Sequence, residues 1–498
     1  MAILKANQAT ILTQDLTKPT SALSPDKTYA IAAGVELDIQ AIVPAINRHV
    51  QVTLKQAINS STTWYANAEQ VSLIGNPFGS LDAAKDRTAI FNYFLSVEML
   101  DGSNQNHLSY LDRGVASSSY AEQIEQYPQR LQQKPDGKTV TSLSSPLKLT
   151  NRDQTVSFDP YPKRGVMPTL DQTALNFLHA DIKEACLCIG SIVNGQMNAH
   201  WVGKNALNKG QFWSATKIVP LMNVVCQANK VDAKTPIRSC VLHDPTGSKS
   251  DISFLDAAID IISYTKDIAE QKEAEDGAYV SNSLSALMKR FSSFPELEKW
   301  FSDITGNKQL SFRGYYGPAP LIQNPQLCNA SSVILNAHAE SAKGENLITA
   351  YDLTRMVTTL GWHHHISADS HLPAAQWHSL ETLVRAMGYD TARYVDAAIA
   401  VLGIQSIIQD VVILSKLGFG ASDLRHQTEL VYTALVQFTD LRPTPNVLRS
   451  VGMTFRSTVQ KPMANGDRDL DEEARWIDAR MAAEVTEVLR RIMTQELA

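Results

Sequence analysis

Apolar and polar positions alternate in short runs at the start of the chain. Thr10 to Thr13, Lys27 to Ala33, His49 to Leu54 and Thr63 to Ala66 are brief, β-branched or aromatic, and separated by polar turns. A period of two between turn signals predicts strands. The spacing predicts a small all-β barrel of the SH3-like kind over residues 1–78. Residues 79–165 lose that pattern and turn polar, rich in Ser, Gln, Asp and Pro. They read as a connector, partly disordered, with one amphipathic helix from Ala89 to Leu100.

From about 166 the texture changes again. Cys186 to Val193 and Gln196 to Val202 are apolar runs joined by Asn194-Gly195, the strongest short-range signal for a hairpin. Helical periodicity follows from Lys217 to about 385. Asp410 to Gly418 and Thr428 to Phe438 read as a second strand pair, and Glu472 to Met493 as a closing amphipathic helix. Strands, a helical middle, more strands and a terminal helix predict an α+β domain over 166–498, an antiparallel sheet flanked by helices with a helical lobe.

Composition narrows the function classes. With 498 residues, the chain is long enough for several domains, and 44% hydrophobic with 19% charged residues is ordinary for a globular protein. A net charge of −6 and the lack of a basic run set nucleic-acid binding aside. No apolar stretch is long enough to span a membrane. The N-terminus shows no signal-peptide pattern, so the chain reads as cytoplasmic as written, or as periplasmic or extracellular if a leader has been removed. Five cysteines without a C-x-x-C pair are neither a disulfide framework nor a zinc site, and Cys186 and Cys188 read as core residues.

Serine becomes a nucleophile when a nearby base takes its proton. Ser214-Ala-Thr-Lys217 places the two groups three residues apart at a helix start, on one face. Burial and neighbouring positive charge can lower a lysine pKa enough for this work. The spacing alone does not choose, because Ser24/Lys27, Ser145/Lys148 and Ser263/Lys266 match equally well. Ser24 and Ser145 precede prolines, and Lys266 leads into a charged run that reads as a solvated face. Only Lys217 leads into a buried-helix pattern, Ile218 to Val225, with Pro220 tolerable near its first turn.

With Ser281-Asn-Ser283 downstream and Lys416-Leu-Gly418 at a strand end, the chain resembles the serine β-lactamase and penicillin-binding protein superfamily, which shows S-x-x-K, then S-x-N or Y-x-N, then K-x-G. The resemblance covers roughly 170–498 and extends to the helix from Asn346 to Leu360, similar to class A members. It implies that Ser214 attacks an amide or lactam carbonyl, Lys217 takes its proton, Ser281 relays a proton to the leaving nitrogen, and Lys416 holds a substrate carboxylate. It implies an oxyanion hole from the backbone N–H groups of Ser214 and Phe419, with Gly418 keeping the strand edge open to substrate. No cofactor or metal is implied, and the partners implied are D-Ala peptides or β-lactams. The first 78 residues resemble small β modules of cyanobacterial wall enzymes, which implies cell-wall material as their partner.

Three positions depart from the family pattern. Ser283 stands in place of asparagine, Leu417 in place of a hydroxyl residue, and Asn324 where fast β-lactamases keep a glutamate. The expectation is therefore a slow deacylation; the alternatives are a catalytically degenerate binding protein of the same fold and a glutaminase-like amidohydrolase. His363-His364-His365 reads as a solvated loop rather than a metal site. Asp469, Asp471, Glu472 and Glu473 read as compensation for the positive end of the last helix.

Overall fold

The computed structural model describes residues 2–150, 153–264, 277–330, 332–338, 344–463 and 466–497. The charged run expected after Lys266 lies outside these. The four predicted N-terminal strands are present among seven, β1 (Ala2–Ala6), β2 (Thr10–Thr13), β3 (Thr28–Ile31), β4 (Glu36–Ala45), β5 (His49–Ile58), β6 (Ser61–Asn67) and β7 (Val71–Gly75), of which β1, β4 and β7 were not predicted. They form one antiparallel sheet in the order β3-β2-β6-β5-β4-β1-β7. Its apolar positions, among them Leu4, Ile39, Val52 and Trp64, close into a small core of their own.

Much of the polar stretch that follows is packed. Helix α1 (Arg87–Leu100) is capped by Asp86, whose side chain accepts from the N–H groups of Thr88 and Ala89. One side of α1 meets the N-terminal sheet through Tyr93, Met99 and Leu100. The other side meets the C-terminal helix: Phe91 stacks edge-on against Trp476 with ring centres 4.8 Å apart, and Arg87 pairs with Glu484 at 2.7 Å.

The central sheet contains β8 (Val140–Ser142), β9 (Asp159–Pro160), β10 (Ile182–Val193), β11 (Gln196–Lys204), β12 (Ile408–Ser422), β13 (Gln427–Asp440) and β14 (Asn446–Val459). Its order is β9-β11-β10-β14-β13-β12, with β8 parallel to the start of β14. The β10–β11 hairpin turns on Asn194 and Gly195, both at positive φ (51° and 75°), as an Asn-Gly turn requires. Strand β14 was not part of the sequence expectation. Arg449 and Arg456 break its apolar pattern, yet both are buried: Arg449 pairs with Asp440 at 2.8 Å and Arg456 with Glu184 at 2.7 Å.

The two faces of the sheet feed two cores. On β12, Val412 and Leu414 join the core under the helical lobe, built on α2 (Ile218–Val231), α3 (Phe254–Ser263), α4 (Gly277–Lys289), α5 (Ala350–Gly361) and α6 (Trp377–Gly388). Val411, Ile413 and Leu417 join the core under the terminal helix α7 (Leu470–Met493). Cys186 and Cys188 are buried on the lobe side. Asp469 caps α7, with acidic residues in its first turn and Arg490 and Arg491 in its last, the arrangement the macrodipole favours. No helix among the described residues is long and apolar enough to cross a membrane.

One local expectation is corrected. His363 and His365 are buried rather than in a solvated loop. His365 Nε2 lies 2.8 Å from the Leu131 carbonyl, and the His363 ring stacks against Trp377. Burial pushes both imidazoles down, to about 3 and about 4, so they pack as neutral rings.

Candidate active site

Ser214 sits in a tight 3₁₀ turn, Trp213–Lys217, that runs straight into α2. Trp213 has φ of 47°, a left-handed conformation costly for a bulky residue. Its indole Nε1 donates to Glu429 Oε2 at 2.8 Å, and its ring lies flush on Gly420, where a Cβ would come within 2.6 Å. Burial alone would raise the Glu429 carboxyl, but Arg425 and Arg456 hold it below its ordinary value. A buried ionised carboxylate thus fixes the residue beside Ser214.

Lys217 is fully buried, and its Nζ donates to Ser281 Oγ at 2.8 Å. Ser281 Oγ in turn donates to the Ile261 carbonyl at 2.9 Å. Burial, and then the charge of Lys416, push the Lys217 ammonium well below the ordinary lysine range. Lys416 is also fully buried, on the lobe face of β12, with Nζ donating to the Ile262 carbonyl at 2.9 Å. Burial pushes it down as well, opposed by the nearby Asp390 carboxylate.

Both ammonium groups lie over one ring. Tyr264 terminates α3 in a left-handed conformation, φ 57° and ψ 21°. Lys416 Nζ is 3.8 Å from its centroid and Lys217 Nζ 5.0 Å. Its phenol lies beside Ser214; burial raises its pKa more than the Ser214 hydroxyl lowers it, so the phenol stays protonated at neutral pH. The spacing predicted Ser214 and Lys217 on one face; here the Lys217 amine donates to Ser281, and the Ser214 hydroxyl lies beside Tyr264.

Ser214, Tyr264, Asn282, Leu417 and Phe419 face a cleft of about 670 Å³. Gly418 lies where strand and nucleophile turn nearly touch: a Cβ there would be 2.8 Å from the Phe212 carbonyl oxygen and 3.0 Å from Ser214 N. Its role is close approach of β12 to the turn, rather than the open edge expected. Leu417 packs into the terminal-helix core while its edge reaches the cleft. Ser281 lies behind Lys217, and its neighbour Asn282 is the residue that reaches the cleft. Ser283 is buried, its carbonyl accepting from Leu321 N at 3.2 Å. Asn324 is exposed and meets Arg290 Nη2 at 3.4 Å, away from the cleft-lining residues.

The structure therefore brings Ser214, Lys217, Ser281, Lys416, Gly418 and Phe419 together and leaves Ser283 and Asn324 outside. Sequence reasoning missed Tyr264, Asn282 and one wall of the cleft, formed by Gln105, Asn106, Leu111 and Asp112 of the polar stretch. It also missed Lys289. That buried lysine donates to the Gly314 carbonyl at 2.6 Å and to Asn346 Oδ1 at 2.9 Å, 3.9 Å over the Phe312 ring. These bonds hold the loop carrying Tyr316, whose hydroxyl is 3.1 Å from Thr216 Oγ1 in the nucleophile turn. No group of three or more His, Cys, Asp or Glu among the described residues is placed to hold a metal ion.

No family model matches the chain, and no curated protein matches it either. Among solved structures, it is similar to a β-lactamase from Desulfarculus baarsii, at 15% identity and a TM-score of 0.31 over 62% of this chain and 92% of that one. It is similar to the carbapenemase VCC-1 from Vibrio cholerae, at 13% identity and 0.32, over 62% of this chain and 98% of that one. The transpeptidase domain of the FtsI4 D,D-transpeptidase from Legionella pneumophila is similar at 12% identity and 0.28, over 64% of this chain and 97% of that one. At such low scores, the functional reading rests on the geometry of the cleft itself.

Proposed function

We propose that this chain is an acyl-serine enzyme acting on a peptide, lactam or ester carbonyl, with Ser214 as nucleophile and Lys217 as base. One observation carries the reading: a cleft-facing serine beside a tyrosine whose ring covers two fully buried lysines. Buried lysines are costly unless neutral or matched, and a lysine kept neutral near pH 7 is a base.

In the proposed step, Ser214 Oγ bonds to the carbonyl carbon and its proton passes to the free amine of Lys217. The Tyr264 phenol gives its proton to the leaving nitrogen or oxygen as the bond to carbon breaks. Lys217 then returns a proton to Tyr264, leaving the acyl-serine and the protonated leaving group. Ser281 holds the Lys217 amine from behind, a positioning role rather than the proton relay first assigned to it. Backbone N–H groups of Ser214 and Phe419 would stabilise the oxyanion. Slow deacylation stays part of the proposal: no glutamate lines the cleft among the described residues, although Asn324 itself lies exposed outside it. A cell-wall ligand for residues 1–78 belongs to the same proposal, on the sequence resemblance alone.

The test is intact mass after exposure to a fluorophosphonate and, separately, to a fluorescent penicillin. An adduct present in the native chain and lost in Ser214→Ala, with Lys217→Met strongly slowed, supports the reading. An adduct that survives Ser214→Ala, or none with either reagent, sinks it and favours a binding protein.

A further inference from the structure

Resting on the assignment of Ser214, we propose that the acyl donor accepted by this cleft carries an ammonium group rather than a carboxylate, and that Asp112 is the residue that selects it. Among the described residues lining the cleft, Asp112 is the only one with a formal charge. One oxygen, Oδ2, accepts from Leu108 N at 2.9 Å; Oδ1 takes no donor from the described residues. Its carboxyl is half-buried, and burial raises it to about 6, the behaviour of a carboxylate lacking a cation partner.

The segment that carries Asp112 is pinned. Tyr110 N donates to Asp478 Oδ2 at 2.9 Å and Leu111 N to the same oxygen at 3.4 Å. The carboxylate is therefore presented from a backbone fixed to α7 rather than from a free loop. Facing it across the cleft are aromatic groups, Trp213, Tyr264, Tyr316 and Phe419. Aromatic faces attract ammonium groups and offer nothing to a carboxylate.

The cations near the cleft are already engaged. Lys217 and Lys416 are fully buried, bonded to Ser281 and to the Ile262 carbonyl, with the Tyr264 ring over both. The position after Lys416 is Leu417, which offers no hydroxyl. Near the rim, Arg425 is bonded to both oxygens of Glu429 and donates to Gln211 Oε1 at 2.8 Å. A carboxylate entering the cleft would lose water without gaining a cation, and would face Asp112.

The test is calorimetric binding to the full chain carrying Ser214→Ala, at neutral to slightly alkaline pH, so that the result does not depend on chemistry at the serine. The probes are phenethylamine, a cation, and phenylpropionate, an anion of similar size. The expected result is a preference of about tenfold or more for the amine. Asp112→Asn should abolish the preference while its amide oxygen keeps the bond from Leu108 N. Equal or tighter binding of phenylpropionate, a preference that survives Asp112→Asn, or no binding of either probe up to millimolar concentration overturns the proposal. Failure of the Ser214 adduct is read in the mass experiment, so the two ideas fail separately.

Discussion

Gly418→Ala isolates how tightly the sheet holds the nucleophile. The added Cβ would meet the Phe212 carbonyl oxygen at 2.8 Å, Ala215 N at 2.9 Å and Ser214 N at 3.0 Å. All three are backbone atoms, so no side-chain rotation relieves the clash. Ordinary contact begins near 3.4 Å, so strand and turn must part by about half an ångström. Overpacking of this kind costs roughly 1–3 kcal/mol. The separation falls on Ser214 N itself, a proposed oxyanion donor. Since misplacement by about 1 Å can cost around a hundredfold in rate, half of that predicts a loss of about tenfold or more. The assay is the burst of p-nitrophenol from a p-nitrophenyl ester, with a urea midpoint measured on the same sample. Gly361→Ala is the control, because the atoms nearest its Cβ are the Leu435 methyls, at 2.8 and 2.9 Å, the far end of a flexible side chain away from the nucleophile turn. A Gly418→Ala protein that is destabilised but acylates at the native rate would refute the argument, leaving this glycine a packing role alone.

Three other predictions follow from the same geometry. Acylation should rise with pH through the depressed Lys217 value, and Lys416→Met, which removes the neighbouring charge, should move that limb to higher pH; an unmoved limb in stopped-flow profiles counts against Lys217 as base. Tyr264→Phe keeps the ring over both ammonium groups but removes the phenol, so acylation should fall about 10²–10⁴-fold with the melting temperature little changed. The Glu98 carboxyl is raised by burial and then by the charge of Asp478, whose carboxylate already accepts from Tyr110 N, Leu111 N and Tyr394. A carboxyl raised in the folded state contributes stability that is full below its unfolded value of about 4.3 and is lost as pH rises through the folded value. Glu98→Gln keeps the shape of the side chain without the titration, so its urea midpoint should exceed that of the native chain at alkaline pH and the gap should close at acid pH.

The parts of the fold legible in the sequence were those where one local signal dominates. Asn194-Gly195 fixed a hairpin because few residues other than these accept positive φ at both positions. Lys217 led into a continuous apolar helix, and Lys416 stood on a strand, so the pair was found through context, although the strand continues past the expected end at Gly418 to Ser422. Strand β14 was missed because Arg449 and Arg456 interrupt its apolar pattern, whereas each is matched by a carboxylate inside the sheet. His363 and His365 were misread for the same reason, since an imidazole can be buried as a neutral ring.

Tyr264 and Asp112 show why the rest of the site was hidden. Tyr264 belongs to the Ser263/Lys266 match, set aside because its lysine leads into a charged run, yet the tyrosine between them covers both active-site lysines. Its placement depends on a left-handed helix end at a non-glycine residue, which no residue preference announces. Asp112 lies in a stretch whose polar composition suggested a linker. Composition counts polar groups but does not say whether water or protein satisfies them. Here Ser109 N donates to Glu98 at 3.2 Å, Gln105 N to Asp471 at 3.1 Å, and the Ser103 carbonyl accepts from Arg475 at 2.9 Å. A segment whose backbone is bonded to two helices is ordered whatever its hydropathy. The cleft therefore forms where a polar segment, fixed by long-range carboxylates, closes over a sheet edge, and neither half predicts the other from sequence alone.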